Sequence, residues 1–203
     1  MERKSVDQMK LRKPSGAAVM RDDLTAALFR ALFEEWAAMG YNGISLERVA
    51  IRAGAGKGAI YRRWPSKLAF SKEAFEAVQI KLTDTADQGS LVADLHGYLK
   101  MMQKVLRHRL VKRILPDLYA EKARSGETAP LLERMAYLRR EQGYGIIERA
   151  IARSELPATI QYELALDIIP SGLYWRMAMR GKSLNPKDTA LLVSAIVAAL
   201  KVL

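Results

Sequence analysis

Apolar residues recur at helical spacing almost from end to end of this chain, and nowhere do they alternate with period two. From about Ala17 to Met39, Leu24, Leu28, Ala31, Leu32 and Met39 fall along one side, and Phe29, Phe33 and Trp36 widen the stripe. Gly40 follows as a C-cap. A short pattern then sets Leu46, Val49 and Ala50 on one face behind Ser45, a good N-cap. Gly54-Ala55-Gly56 separates it from a second short pattern, which starts near Lys57 and stops at Trp64-Pro65 because proline disfavours helix in the residue before it. Ser66 caps a helix predicted to run to about Leu82, and the polar run 83–90 marks a boundary. Ser90 opens a helix from Leu91 to about Arg107. Pro116 predicts a kinked or split helix from about Arg109 to Arg124. A turn at 125–128 precedes a long helix from about Ala129 to Arg153, with Pro157 at its exit. The next pattern runs from Ala158 to Arg180, with a kink expected at Pro170. Asn185-Pro186 starts a last helix whose Leu191, Leu192, Ala195, Ile196, Ala199 and Leu200 leave it apolar on two faces. The pattern predicts an all-α fold of about nine helices. It divides into a flexible basic arm (1–14), a head (15–82) and a helical body (90–203).

Two short helices joined by a tight glycine turn make a helix-turn-helix. Between Arg48 and Lys72 the chain places seven basic residues (Arg48, Arg52, Lys57, Arg62, Arg63, Lys67, Lys72) and no acid. A short cationic second helix suits the major groove of DNA. Isolated helices below roughly 12 residues are marginal, so packing must hold this one. Ile60 and Trp64, four apart, are expected to point inward against Val49 and Leu46, which turns Lys57, Arg62 and Arg63 outward and leaves Tyr61 near the edge.

The run Gly54-x-x-Lys57-Gly58-x-Ile60-Tyr61-x-Arg63-Trp64-Pro65-Ser66-Lys67 resembles the recognition-helix signature of TetR-family transcriptional repressors, and Phe29, Phe33, Gly40-Tyr41, Ser45 and Val49-Ala50 continue it upstream. The resemblance is specific over roughly residues 20 to 80. It is looser in the C-terminal half, around Gly172-Leu173-Tyr174-Trp175-Arg176 and Gly181-Lys182-Ser183-Leu184. One departure is Gly56, where the family usually has serine or threonine; glycine still caps tolerably, but a phosphate contact from that side chain is lost. The resemblance implies phosphate contacts from Tyr61, Arg63 and Lys67, base-edge contacts from Lys57 and Arg62, and a DNA-side position for Ser45. It also implies close approach at Gly58 and Ala59, with the Ala59 methyl offered to thymine. Glu47 either accepts from a cytosine amine or pairs with a neighbouring arginine, the second being the favoured reading.

The resemblance further implies a homodimer on a palindromic double-stranded operator, and a small-molecule effector held within helices five to eight. The apolar last helix, paired with the helix around Leu173 to Met179 and with the same pair from a second copy, supplies a four-helix interface. Tyr98, Tyr144 and Tyr174 are the candidate polar contacts to the effector. Lys100, Lys104, Arg107, Arg109, Lys112 and Arg113 form a second basic run, read either as a solvated face or as one turned toward the head or the duplex.

Composition narrows the choice further. The chain has 203 residues, half of them hydrophobic, and a formal charge of +11, which favours polyanions. Cysteine is absent, so disulfides, thiolate catalysis and cysteine-bound zinc are excluded, and a cytoplasmic location fits. No window approaches the roughly 20 apolar residues a membrane span needs, and the charged start is no secretory signal. His96 and His108 are the only histidines and no phosphate loop follows a strand, so no enzyme, metal or cofactor is expected. The surviving function is a sequence-specific DNA-binding regulator, most simply a repressor released by an effector. The alternatives are a basic membrane-surface protein, or a nucleic-acid binder with no effector.

Overall fold

A computed structural model describes residues 16–56, 58–79 and 86–203; the expected basic arm and Lys57 lie outside them. The described residues form nine α-helices and no strand. In chain order these are α1 (Gly16–Met39), α2 (Leu46–Arg52), α3 (Gly58–Tyr61), α4 (Lys67–Gln79), α5 (Leu91–Arg107), α6 (Arg109–Arg124), α7 (Ala129–Ala152), α8 (Tyr162–Tyr174) and α9 (Pro186–Leu200). None is long and apolar enough to cross a membrane.

The caps sit where the side chains can make them. Ser45, Ser90 and Asn185 each accept from a backbone N–H three residues on, at Arg48, Ala93 and Asp188. Pro116 does not split α6. It and Lys112, whose carbonyl the proline ring cannot satisfy, are both exposed, so water can serve that carbonyl. Pro170 likewise lies within a continuous α8. That helix starts later than the sequence predicts, at Tyr162 rather than Ala158, because Ile160 N–H turns back to the Pro157 carbonyl. Its C-terminal end widens into a single π-helical turn, Trp175–Met179.

Three apolar clusters organise the molecule. The head core packs Leu28, Leu32, Val49, Ile60, Trp64 and Phe70 from α1 to α4. The body core joins α5, α7, α8 and α9 through residues such as Leu95, Leu99, Ile146, Ile169 and Val193. A smaller cluster of Trp36, Tyr41, Ile114, Leu118, Leu131 and Leu132 bridges the two. Gly172 lets α8 lie close on α9: a Cβ there would stand 2.7 Å from a methyl of Leu192. Gly181 adopts a left-handed φ of 64°, turning the chain so that Leu184 is buried and the Ser183 carbonyl accepts from Arg176.

Candidate nucleic-acid interface and a head–body cavity

The turn between α2 and α3 is built by glycine. Gly54 has φ 68°, a left-handed value, with open space where a Cβ would stand. Gly54 N–H reaches the Ile51 carbonyl and Ala55 N–H reaches the Ala50 carbonyl, the two bonds of a Schellman ending. This stops α2 and redirects the chain into α3. The second helix is only one turn long, Gly58–Tyr61, and its anchors are Ile60 and Trp64, both buried. Trp64 packs its ring 4.3 Å from Phe70 and donates its indole N–H to Glu73 at 2.6 Å. With those two residues fixed inward, Tyr61, Arg62 and Arg63 are left exposed in a row. Arg63 lies over the Trp64 ring at 4.8 Å, a contact that orients it without neutralising it. Among the described residues no carboxylate pairs with Arg62 or Arg63. Gly58 is exposed and Ala59 half-buried, with nothing near the Cβ position of Gly58, so a partner can approach this face closely.

Other members of the basic segment are already engaged. Arg48 donates to Glu35 and to the Gly43 carbonyl, and Arg52 reaches Glu34 and Glu35. Glu35 is almost wholly buried, so α1 supplies the acid that the segment itself lacks. Ser45 caps α2 and donates its hydroxyl to Glu47 at 3.1 Å. The Lys67 ammonium donates to the Tyr41 carbonyl at 3.1 Å and sits over the Tyr41 ring at 4.1 Å, which leaves further N–H groups for a phosphate.

Tyr41 is also where head meets body. Its backbone N–H and the Trp36 indole both donate to one oxygen of Asp117, at 2.8 and 2.7 Å. Its phenol donates to Glu127, and Asn42 donates to Glu121. Burial, and then the Glu127 carboxylate beside it, pushes the Tyr41 phenol well above the usual range, so it stays a donor. Glu121 is held below the usual carboxylate range by the Ser125 hydroxyl and by Arg124 and Asn42, despite its burial.

Beside this junction lies an apolar cavity of about 370 Å³. Phe33 of α1 and Phe75 and Val78 of α4 face Val105, Val111, Ile114, Leu115, Leu118 and Met135 of the body. Among the described residues, Lys104 and His108 are its only charged or titratable lining residues. A second, more polar cavity shares Phe33, Val78, His108 and Leu110 with it. Neither is lined by Tyr98, Tyr144 or Tyr174. Tyr98 is buried in the body core, which raises its phenol. Tyr144 stacks on Tyr162 and donates to Glu163; Tyr174 meets Tyr119 edge-on. The second basic run is divided as well. Arg107 donates to the Leu184 carbonyl, Arg109 approaches Glu34 at 3.8 Å, and Lys104 joins the cavity. Sequence reading passed over Lys104 and His108 as site residues, although their spacing of four at the end of α5 places them on one helix face.

Two outward faces of the body remain apolar. Trp175 and Met179 on the π turn and Leu191 on α9 are each more than 60% exposed, while Val193, Ile196 and Leu200 on the other side of α9 are buried.

Comparison with known proteins agrees along most of the chain. Residues 28–79 match the model described as bacterial regulatory proteins, tetR family, and residues 85–196 match the tetracyclin repressor-like C-terminal domain. The HTH-type transcriptional regulator YdeS of Bacillus subtilis is 25% identical over 81% of this chain and 84% of its own length. The DNA-binding transcriptional repressor TetR of Mycobacteroides abscessus is 28% identical over 77% of this chain and 83% of its own. Among solved structures, Salmonella enterica GusR superposes with a TM-score of 0.72 at 17% identity, covering 88% of this chain and 95% of that one; the likeness is one of fold.

Proposed function

The chain belongs to the TetR family of bacterial regulatory proteins, and on that premise we propose that it represses transcription as a homodimer on a palindromic operator and is released by a small-molecule effector. The observation that carries the DNA-binding part is the row Tyr61-Arg62-Arg63, exposed on a turn whose other face is locked by Ile60 and Trp64. In this reading Tyr61, Arg63 and Lys67 hold phosphates, and Lys57 and Arg62 read base edges. Gly58 and Ala59 let the backbone come close, while Ser45 presents the start of α2. Each good base contact discriminates by about 1–3 kcal/mol, so one head is too weak a reader; a twofold pair on half-sites about 34–36 Å apart doubles the information. The uncovered Trp175, Met179 and Leu191 support pairing through α8 and α9. Release by a ligand requires that it favour the conformation that does not bind DNA; allosteric couplings are typically about 1–3 kcal/mol.

The test is selection of duplexes from a random library, followed by anisotropy titrations at several salt concentrations. A defined palindrome bound with a steep salt slope supports the reading. Tyr61→Ala should weaken all duplexes alike, and Arg62→Ala should change the ranking of operator variants. Enrichment of no sequence, together with pelleting on anionic vesicles, would replace this reading with the membrane-surface one.

A further inference from the structure

We propose that the cavity between head and body is the effector site, and that its ligand is an apolar molecule ending in one anionic group. The inference rests on the reading of the chain as a ligand-released repressor, and it adds the place and the chemistry. At about 370 Å³ the cavity falls within the roughly 300–1,000 Å³ of small-molecule sites. Its walls are phenylalanine, valine, leucine, isoleucine and methionine, which leave a polar ligand body without partners and penalise it accordingly. Met135 adds a pliable surface.

The polar end is specified by sign. Lys104 contributes an ammonium, and among the described residues no acid lines this cavity to oppose it. Among the described residues Lys104 forms no ion pair. His108, four residues on, joins α5 to α6; its Nδ1 accepts from the Leu110 backbone N–H at 3.4 Å, which leaves Nε2 to donate. Two cationic or donor groups on one rim of an otherwise apolar space select an anion over a neutral or cationic head. The adjoining polar cavity is lined by the acids Asp22 and Glu34, and Glu34 is engaged by Arg52 and Arg109.

Position supplies the regulatory sense. Phe33, Phe75 and Val78 come from the head, and Ile114, Leu115 and Leu118 come from the same helix that carries Asp117 and Glu121 to the α1–α2 turn. A ligand here touches the contact surface of both units, and release of DNA then requires that it bind one arrangement of that surface more tightly than the other.

The experiment titrates the full-length protein by calorimetry, without DNA, with three probes that share a ten-carbon chain: decanoate, decanol and decyltrimethylammonium. Decanoate should bind at least tenfold more tightly than the other two. Lys104→Glu, a change at an exposed position, should remove that preference and favour decyltrimethylammonium. Val111→Trp should abolish binding of all three, and Val105→Phe, a smaller filling, should weaken it at least tenfold if the tryptophan variant does not fold. Equal affinity for the three head groups, decanoate binding unchanged by both filling variants, or no binding of any probe would overturn the assignment. A separate anisotropy measurement on the selected operator keeps the two readings apart. Decanoate bound with no operator found leaves the site standing and sinks the repressor; an operator bound with no decanoate binding does the reverse.

Discussion

In the body, Asp94 is buried with every interaction accounted for: the Gln88 backbone N–H at 2.8 Å on one oxygen, and Arg149 and Arg153 at 3.2 and 2.9 Å on the other. Arg153 also reaches Asp87 and Glu155, and Glu155 in turn accepts the first backbone N–H of α5 at Leu91. In the head, Arg62 and Arg63 stand in water with no carboxylate partner among the described residues, in the same basic segment as Arg48 and Arg52, which are tied to Glu35. The same residue type thus does two jobs. Arginine closed on a buried acid fixes which helices meet; arginine left open on a rigid turn keeps its hydrogen-bonding fork for a partner that brings its own negative charge.

The sharpest way to break this contrast is to remove one residue from each side. Asp94→Ala should destabilise the protein by about 3 kcal/mol, because it removes the buried acceptor of the Gln88 N–H and of Arg149, and one of the three carboxylates that hold Arg153. Its unfolding midpoint in urea should fall accordingly, and a loss below about 0.5 kcal/mol would show that the buried pair is dispensable. Acid should erase the same advantage. Burial acts against the Asp94 charge, but the Gln88 N–H and the two guanidinium groups more than offset it and hold the carboxyl below its ordinary value. A depressed folded-state value means that the stabilisation is fully present above the unfolded value of about 3.9 and is lost as pH falls through the folded one. The stability difference between wild type and Asp94→Asn should therefore be flat above about pH 5 and shrink below about pH 4. A gap that stays the same size as pH falls from about 5 to the acid limit of the native state would contradict it.

Arg62→Ala belongs to the other side. It should leave unfolding stability within about 0.5 kcal/mol of wild type while costing about 1–3 kcal/mol of discrimination at particular operator positions. A comparable loss of stability would mean that Arg62 is structural, and the contrast would fail. The smallest expected effect tests turn chemistry. α7 ends with the same pair of bonds as α2, Ser154 N–H to Ile151 and Glu155 N–H to Ala150, but Ser154 fills the left-handed position at φ 59° where α2 uses glycine. Ser154→Gly should raise stability by up to about 1 kcal/mol, and a fall in melting temperature would refute the strain.

Local chemistry was legible in the sequence. The caps at Ser45, Ser90 and Asn185, the glycine turn at Gly54, and the inward Ile60 and Trp64 each depend on residues within a few positions of one another. Partners far along the chain were not. Arg48 lies 13 residues from Glu35, and Trp36 lies 81 from Asp117. A segment free of acids in sequence is therefore not free of them in space, and the count of seven basic residues overstated the open charge. The start of α8 was missed because helical periodicity extends through residues 158–161 even though the Pro157 carbonyl claims a turn there. The tyrosines were chosen by residue type within helices five to eight; the head–body cavity was not legible, because it arises between helices that the sequence pattern assigns to separate units.

Tyr41 reaches Asp117 and Glu127 on one side and Lys67, at the exit of the helix-turn-helix, on the other. The first four helices are consequently not an interchangeable cartridge. Grafting them onto the C-terminal half of a relative that lacks acids at the positions of Asp117, Glu121 and Glu127 would strand an indole N–H, a phenol and an amide at the seam, so engineers building hybrid sensors from this chain should transplant α6 and the turn through Glu127 together with the head.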